Sequence, residues 1–179
     1  MDRLITELLS YGKRMTIHPV PVALEPLLKD LMEHFIATGA SPKIRWSFSV
    51  ADALPLIELD PVLIRQAFSN LIQNALEAMP DGGEIKMSVS VRPEGWIEVK
   101  IYDTGSGIAK EHLDKIFLPF YTTKEKGTGL GLALVHKIIL AHNGHVTVKC
   151  AEGGGTCFIA HFSLESHAVH PKEQEWKQF

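Results

Sequence analysis

Segments with helical and strand-like spacing of apolar residues alternate along this chain in an order that few folds accommodate. The helices that this spacing predicts cover residues 24–38, 61–79 and 130–142. The strands predicted between and after them cover residues 43–50, 84–91, 96–102, 145–150 and 156–164. The order helix, strand, helix, hairpin, helix, hairpin predicts a two-layer α+β sandwich. Three helices would cover one face of a mixed, mostly antiparallel sheet, and a doubly wound parallel sheet is not expected.

Composition limits the classes of function that fit this fold. The chain has 179 residues, of which 45% are hydrophobic and 22% charged, as in an ordinary globular domain. The net charge of −3 gives no reason to expect a nucleic-acid partner. No apolar run approaches the length of a membrane span, and the first residues do not resemble a signal peptide. We therefore expect a cytoplasmic, monomeric chain without direct membrane contact, which is compatible with a membrane-anchored parent protein.

Two cysteines flank the last predicted turn, in the segment CAEGGGTC. If that turn is centred on Gly153 and Gly154, Cys150 and Cys157 lie opposite each other, and a cross-strand disulfide is conceivable. The alternative is a pair of reduced, half-buried thiols in a cytosolic protein.

The second predicted helix carries two amide side chains beside its apolar stripe, in the motif NLIQNA. Asn70 and Asn74 are four residues apart and therefore share one face of the helix. They could be structural hydrogen-bonding groups. They could also point into a ligand site, where an amide oxygen can ligate Mg²⁺.

The motif DTGSG ends the apolar strand WIEVKIY. Asp103 could be an ordinary turn residue that bonds the backbone. It could also be a buried carboxylate that accepts a hydrogen bond from the amino group of a base. Gly105 and Gly107 would then let the ligand approach the backbone closely.

The stretch IFLPFYTTKEK between this motif and the third helix has the composition of a lid. Phe117, Phe120 and Tyr121 are predicted apolar anchors, and a polar run that contains Lys124 follows them. A segment anchored at one end and joined to a helix at the other is typical of active-site lids, and Lys124 could reach a phosphate. The alternative is a solvated surface loop.

The third helix begins in the glycine-rich run GTGLGLAL, residues 127–134. Free N–H groups and the positive end of the helix dipole favour an anion at such a position. The run lacks the Gly-Lys-Ser/Thr ending of a P-loop, and it does not open a βαβ unit as a dinucleotide-binding loop does. It therefore predicts a phosphate-binding loop of another kind.

In their order, these motifs resemble those of the histidine kinase catalytic and ATP-binding domain, from the wider group that includes gyrase, Hsp90 and MutL-type ATPases. They read NLIQNA (N box), DTGSGI, GTGLGLAL and GGGTCF (three glycine boxes) and IFLPF (F box). The resemblance covers residues 20–164 and implies a Bergerat-type ATP-binding fold with ATP and Mg²⁺ as cofactors. IFLPFYTTK and NALEAM are similar to the nitrogen-regulation and sporulation-type sensor kinases.

The resemblance assigns roles to individual residues. It implies that Asn74 ligates Mg²⁺, that Asn70 lines the phosphate side, and that Asp103 binds the adenine amino group. Thr156 would lie near the adenine, with contact through water. We expect Asn70 and Lys124 to be the catalytic residues. Further nucleotide contacts are implied for Gly105, Gly107, Ile108, Thr122, Thr123, Lys124, Gly127, Thr128, Gly129, Leu130, Gly131 and Leu132.

Position 70 distinguishes between reactions within this group. ATPases of the group typically carry Glu four residues before the Mg²⁺-binding Asn, where it acts as a general base. Asn70 has no proton-accepting carboxylate, which favours a domain that holds ATP while the imidazole of another domain attacks the γ-phosphate. The alternatives are a nucleotide-driven conformational ATPase and a degenerate binding module without catalysis.

Glu77 departs from the pattern of the family. Many members carry Lys at this position, three residues after the N-box Asn and near the phosphates. A carboxylate there would repel phosphate unless it bound Mg²⁺ or pointed away. We expect Lys124 to supply the missing positive charge from the lid, or Glu77 to face solvent.

None of the nine histidines fits the acceptor motif of the family, a His followed by an acidic residue on a long helix. His18, for example, precedes a proline. We therefore expect a fragment or trimmed kinase core that binds ATP but does not phosphorylate itself. Its partners would be a dimerisation domain with the phosphoacceptor histidine and, indirectly, a response regulator. The predicted division is a dimerisation-helix remnant (1–15), a catalytic domain (16–165) and a flexible tail (166–179).

Overall fold

A computed structural model describes residues 15–38, 41–51, 53–124, 127–150 and 154–164 of the chain. The predicted helix remnant, apart from Met15, and the predicted flexible tail both lie outside these residues. Within the described residues the order of elements is as follows. The elements are β1 (Val20–Val22), α1 (Leu24–Ala37), β2 (Ile44–Val50), β3 (Ile57–Leu59), α2 (Pro61–Glu77), β4 (Gly83–Arg92), β5 (Trp96–Asp103), a 3₁₀ turn (Lys110–His112), α3 (Gly131–Ala141), β6 (His145–Cys150) and β7 (Thr156–Ser163).

Five strands form one sheet in the order β2-β4-β5-β7-β6. β2 pairs with β4 in parallel, and the other neighbours are antiparallel, so the predicted mixed sheet is confirmed. Alternate residues of the central strands, such as Ile97, Val99 and Ile101 of β5, are buried on one face. The three helices of the described residues cover that face, which confirms the predicted two-layer α+β sandwich.

A small ribbon of β1 and β3 is the feature that the sequence prediction lacked. Val20 to Val22 pairs antiparallel with Ile57 to Leu59. Each strand has three residues, too few for alternation to be recognised.

Asp60 caps the N-terminus of α2. One oxygen of the carboxylate accepts hydrogen bonds from the Val62 and Leu63 N–H groups at 3.0 and 3.2 Å. The other accepts from the His18 N–H at 2.9 Å. His142, just after α3, accepts from the Asp60 N–H through Nε2 at 3.0 Å. Asp60 therefore joins α2, the end of α3 and the segment before β1.

The register of the last hairpin corrects the disulfide geometry considered above. Cys150 pairs with Thr156, and Cys157 pairs with Lys149. Since neighbouring residues of a strand point to opposite faces, the two cysteines lie on opposite faces of the sheet. Both thiols are free in this structure.

Across the described part of the chain, we find no helix with the length and apolar character that a membrane span requires.

Candidate functional site

A cavity of about 430 Å³ opens between α2, the end of β5 and the segment that leads into α3. It brings together most of the site residues that the sequence predicts. Those that line it are Asn70, Asn74, Asp103, Gly107, Ile108, Thr122, Thr123, Lys124, Gly127, Thr128, Gly129, Gly131, Leu132 and Thr156. Two predicted residues do not line the cavity, Gly105 and Leu130. Leu130 is buried, with 1% of its surface exposed.

The face of α2 that borders the cavity carries Asn70, Asn74 and Glu77. Their spacing of four and three residues puts them in one row along the helix. Gly131, the first residue of α3, lies opposite: a Cβ added there would be 4.0 Å from Asn70 Cγ. The two helices thus form one wall of the cavity, and the Asn70 amide lies beside the first turn of α3.

Asp103 lies at the inner end of the cavity and is 3% exposed. It is the last residue of β5 and pairs with Thr156 of β7, which also lines the cavity. The Oδ1 atom accepts a hydrogen bond from the Gly105 N–H at 2.8 Å. Burial raises the pKa of this carboxyl, and the backbone N–H groups of Gly105 and Thr156 offset only part of that rise.

Gly105 has a packing role in the structure. A Cβ at this position would lie 2.7 Å from the Ala78 Cβ and 2.9 Å from the Asp103 carboxylate. The Gly105 carbonyl accepts a hydrogen bond from the Gly155 N–H at 2.7 Å. This glycine therefore lets the turn after β5 fit between the end of α2 and the turn before β7. It does not line the cavity but helps to position residues that do.

The described parts of the predicted lid segment, residues 121–124 and 127–128, lie between two residues that are joined by a backbone hydrogen bond. The Phe120 N–H donates to the Gly129 carbonyl at 2.9 Å. Gly129 has a φ of +69°, and a Cβ there would overlap the backbone of Phe120 and Tyr121. Only glycine allows this close approach of the two ends of the segment.

One predicted anchor of the lid is wrong. The Phe120 side chain is 63% exposed, because its backbone adopts a φ of +65° that turns it away from the core. Phe117 packs on His136 and Phe158 with ring centroids at 5.4 and 6.5 Å. Tyr121 is held by a hydrogen bond between its hydroxyl and His112 Nδ1 at 2.6 Å. Two of the three aromatic residues therefore anchor the segment.

Lys124 reaches back from the lid segment to α2. Its ammonium group donates to Asn74 Oδ1 at 3.0 Å and to Glu77 Oε2 at 2.5 Å. Glu77 also accepts from Gln73 Nε2 at 3.0 Å, and its side chain is 32% exposed. The carboxylate of Glu77 is thus at the edge of the cavity and is neutralised there by the lysine.

The first turn of α3 presents backbone N–H groups towards the glycine-rich segment. Leu130 precedes the helix and provides no side-chain cap, and Thr128 Oγ1 accepts from the Leu130 N–H at 3.2 Å. Uncapped N–H groups at a helix start favour a negatively charged ligand.

A metal ion in this cavity would need oxygen ligands from a bound molecule. Among the described residues, no group of three or more His, Cys, Asp or Glu side chains could hold a metal. Asn74 Oδ1 already faces a cation, the Lys124 ammonium, and its amide oxygen suits Mg²⁺, which commonly combines one or two protein oxygens with phosphate and water.

Sequence reasoning missed several residues of the cavity wall. They are Gln73, Ala78, Ser106, Ala109, His112, Ile116 and Phe158. The helical period extended from Asn70 and Asn74 would have indicated Gln73 and Ala78. No local signal indicates His112, because its place depends on its contact with Tyr121.

The chain resembles known proteins over most of its length. Residues 59–166 match the family described as histidine kinase-, DNA gyrase B-, and HSP90-like ATPase. Sporulation kinase E of Bacillus subtilis (strain 168) is 31% identical over 175 residues, which are 98% of this chain and 24% of that protein. Sensor histidine kinase ZraS of Escherichia coli (strain K12) is 36% identical over 158 residues, 88% of this chain and 34% of that protein. The chain thus spans a quarter to a third of these relatives.

Among solved structures, full-length ShkA in complex with AMPPNP is similar in fold. It superposes with a TM-score of 0.81 and 27% sequence identity, and the match covers 93% of this chain and 36% of ShkA.

Proposed function

Because the chain belongs to the histidine kinase-, DNA gyrase B- and HSP90-like ATPase family, we propose that its cavity binds ATP with Mg²⁺ and that it is the ATP-binding catalytic domain of a sensor histidine kinase. The observation that carries the proposal is the convergence of Asp103, the α2 amides and the glycine-rich segment on one cavity. Its volume of about 430 Å³ is within the usual range for sites of small molecules.

The inner end of the cavity suits the adenine. Asp103 is buried and accepts hydrogen bonds from the Gly105 and Thr156 N–H groups. A carboxylate has about four acceptor sites, so it keeps acceptor capacity for an amino group of the base. Thr156 lies opposite on β7 and offers its hydroxyl, directly or through water. Gly107, with a φ of +74°, leaves the backbone open beside the base.

The outer end suits the phosphates. The first turn of α3 supplies N–H donors, the glycine-rich segment before it lines the cavity, and Lys124 supplies a positive charge. Asn74 is the residue that would hold Mg²⁺ on this side. When bound, Mg²⁺ would neutralise negative charge on the phosphate oxygens.

Phosphoryl transfer to a histidine fits this site better than hydrolysis. Among the described residues that line the cavity, the carboxylates are Asp103 and Glu77. Asp103 is bonded at the inner end, and Glu77 is paired with Lys124. Neither replaces the general base that Asn70 lacks, which supports an attacking group from a phosphoacceptor domain outside this chain. A response regulator would receive the phosphoryl group afterwards. The domain would work as a monomer in the cytoplasm, on a parent kinase that can be membrane-anchored.

Calorimetry with ADP and AMPPNP, each with Mg²⁺, tests the binding site. We expect both to bind one site per chain and ATP to compete with them. Absence of binding would overturn the proposal and favour a degenerate module.

Labelled ATP tests the reaction. We expect label on a separately prepared dimerisation and phosphoacceptor domain of the parent kinase, and none on this chain alone. Steady hydrolysis of ATP at the rate of dedicated ATPases, lost in Asn74→Ala, would instead favour the conformational ATPase.

A further inference from the structure

The ammonium group of Lys124 contacts two oxygen atoms of α2 at once. Asn74 Oδ1 is 3.0 Å away and Glu77 Oε2 is 2.5 Å away. Two oxygens that contact one ammonium converge on one point, at the edge of the proposed nucleotide site. The point already holds a cation, although this cation belongs to the protein.

The two oxygens are placed there by the helix and by a neighbouring side chain. Asn74 and Glu77 are three residues apart on α2 and share a face. Gln73 Nε2 donates to the other carboxylate oxygen, Glu77 Oε1, at 3.0 Å. The hydrogen bond from Gln73 therefore orients the Glu77 carboxylate, so that Oε2 is directed to the position of the Lys124 ammonium.

A carboxylate at this position conflicts with a triphosphate unless a cation lies between them. Like charges a few ångströms apart repel each other, and at the edge of a cavity water screens this repulsion only in part. Lys124 neutralises Glu77 in this structure. The phosphates would compete with Glu77 for the same lysine, and a lysine that moves to them no longer neutralises this carboxylate.

We propose that Glu77 is, with Asn74, a second protein ligand for the divalent cation of the bound nucleotide, and that Lys124 occupies the cation position until that cation arrives. One carboxylate and one amide oxygen, completed by phosphate and water oxygens, form a ligand set that suits Mg²⁺. The released ammonium is then available to the phosphates. This inference rests on the proposed nucleotide site and adds a residue to it.

The metal dependence of ADP binding tests the role of Glu77. The affinity is measured by calorimetry with Mg²⁺ and with EDTA, in wild type, Glu77→Gln and the control Glu58→Gln, whose exposed side chain is on β3 outside the cavity. The readout is the factor by which Mg²⁺ strengthens ADP binding. We expect Glu77→Gln to reduce this factor about tenfold, while its affinity in EDTA is unchanged or higher because the repulsion is gone.

Binding of Mn²⁺ alone, measured by electron paramagnetic resonance, tests the role of Lys124. Removal of the resident cation in Lys124→Met should strengthen Mn²⁺ binding relative to wild type. The gain should disappear in the double variant Lys124→Met with Glu77→Gln. Circular dichroism of each variant checks that the fold is retained.

The inference is overturned if the Mg²⁺ factor of Glu77→Gln stays within about twofold of wild type and control. The inference is also overturned if Glu77→Gln raises the ADP affinity equally in Mg²⁺ and in EDTA. Such a result would mean that Glu77 repels the phosphates but does not ligate the metal. A wild type that binds no ADP in either buffer would overturn the proposed nucleotide site itself. Normal, metal-dependent ADP binding in wild type and in Glu77→Gln would remove only the role of Glu77.

Discussion

At the scale of single residues, the site combines groups whose surroundings differ sharply. Asp103 is buried at a strand end, whereas Lys124 and Glu77 form an ion pair at the open edge of the cavity. Because Asp103 is buried, a ligand that leaves its carboxylate without a hydrogen-bond donor binds at a cost in free energy. The inner end of the cavity therefore selects ligands that carry a donor. The outer end is accessible to solvent, so charges can exchange partners there.

Asp103→Asn should weaken ADP binding at least tenfold. The amide offers one acceptor oxygen, already needed by the Gly105 N–H, and its NH₂ group would face the amino group of the base. A lost hydrogen bond in a buried site costs about 1–3 kcal/mol, which is consistent with that factor. Calorimetry measures the effect, with the exposed Asp114→Asn outside the cavity as the control. Equal affinity of both variants would remove Asp103 from the base site.

At the scale of elements, two backbone N–H groups hold distant segments together. One lies at the base of the lid segment, and the other lies where the start of α2 meets the end of α3. The lid is closed by the bond between the Phe120 N–H and the Gly129 carbonyl. The junction of α2 and α3 depends on the Asp60 N–H, which finds its acceptor in the ring of His142.

Gly129→Ala should lower ADP affinity at least tenfold while the protein stays folded. The added Cβ overlaps the Phe120 backbone and opens the base of the lid. Gly95→Ala is a matched control, since Gly95 also has a positive φ, +78°, but a Cβ there has no atom within 4 Å. Both variants carry the backbone strain of about 1–2 kcal/mol, so a difference between them in ADP binding isolates the lid. Equal ADP affinities would show that the lid closure does not shape the site.

His142→Ala should lower the free energy of unfolding at pH 7.5 by about 1–3 kcal/mol, since it leaves the buried Asp60 N–H without its acceptor. Burial lowers the pKa of His142 and outweighs the Ile138 carbonyl and the Asp60 carboxylate, which favour the charged ring. A lowered histidine pKa stabilises the fold above 6.5 and loses that contribution as pH falls.

The difference between His142→Ala and wild type should therefore narrow from pH 7.5 to pH 5 in urea unfolding. His34→Ala, on the exposed face of α1, is the control. A difference that is independent of pH would mean that the variant acts through a cavity alone.

At the scale of the whole molecule, the helices cover one face of the sheet, and the opposite face carries titratable groups. Glu98 lies there beside Arg92, Lys100 and His161, and the rings of His161 and His145 stack at 4.3 Å. Burial alone would raise the pKa of Glu98, but Lys100 and Arg92 lower it to about 2. Burial, with the charge of His161, lowers the pKa of His145 to about 4.

The stability of the molecule should therefore fall in two steps as the pH decreases. The histidine contributions are complete above 6.5 and are lost as pH falls towards 4, because the unfolded chain binds those protons first. The Glu98 contribution is complete above 4.5 and is lost towards 2. Urea unfolding between pH 7.5 and 3 measures both steps, and His145→Asn should reduce the first. A free energy of unfolding that does not change from pH 7 to pH 4.5 would contradict the lowered pKa values of His145 and His161.

The sequence by itself determined the order of elements and the segments that line the site. Helical and alternating periodicities are local properties, so α1, α2, α3 and the strands of the main sheet could be predicted to within a few residues. Asn70, Asn74 and Asp103 could be predicted because each lies in a motif at the end or on one face of such an element. Their roles in binding stay predictions.

Only the tertiary structure decided the contacts between distant segments. The pair of Lys124 and Glu77 joins residues 47 positions apart, and His142 reaches Asp60 over 82. The exposure of Phe120, the register that separates Cys150 from Cys157 and the ribbon of β1 and β3 have the same origin. Each depends on which surfaces pack together over the whole chain, a balance of many small terms that no local pattern of residues contains.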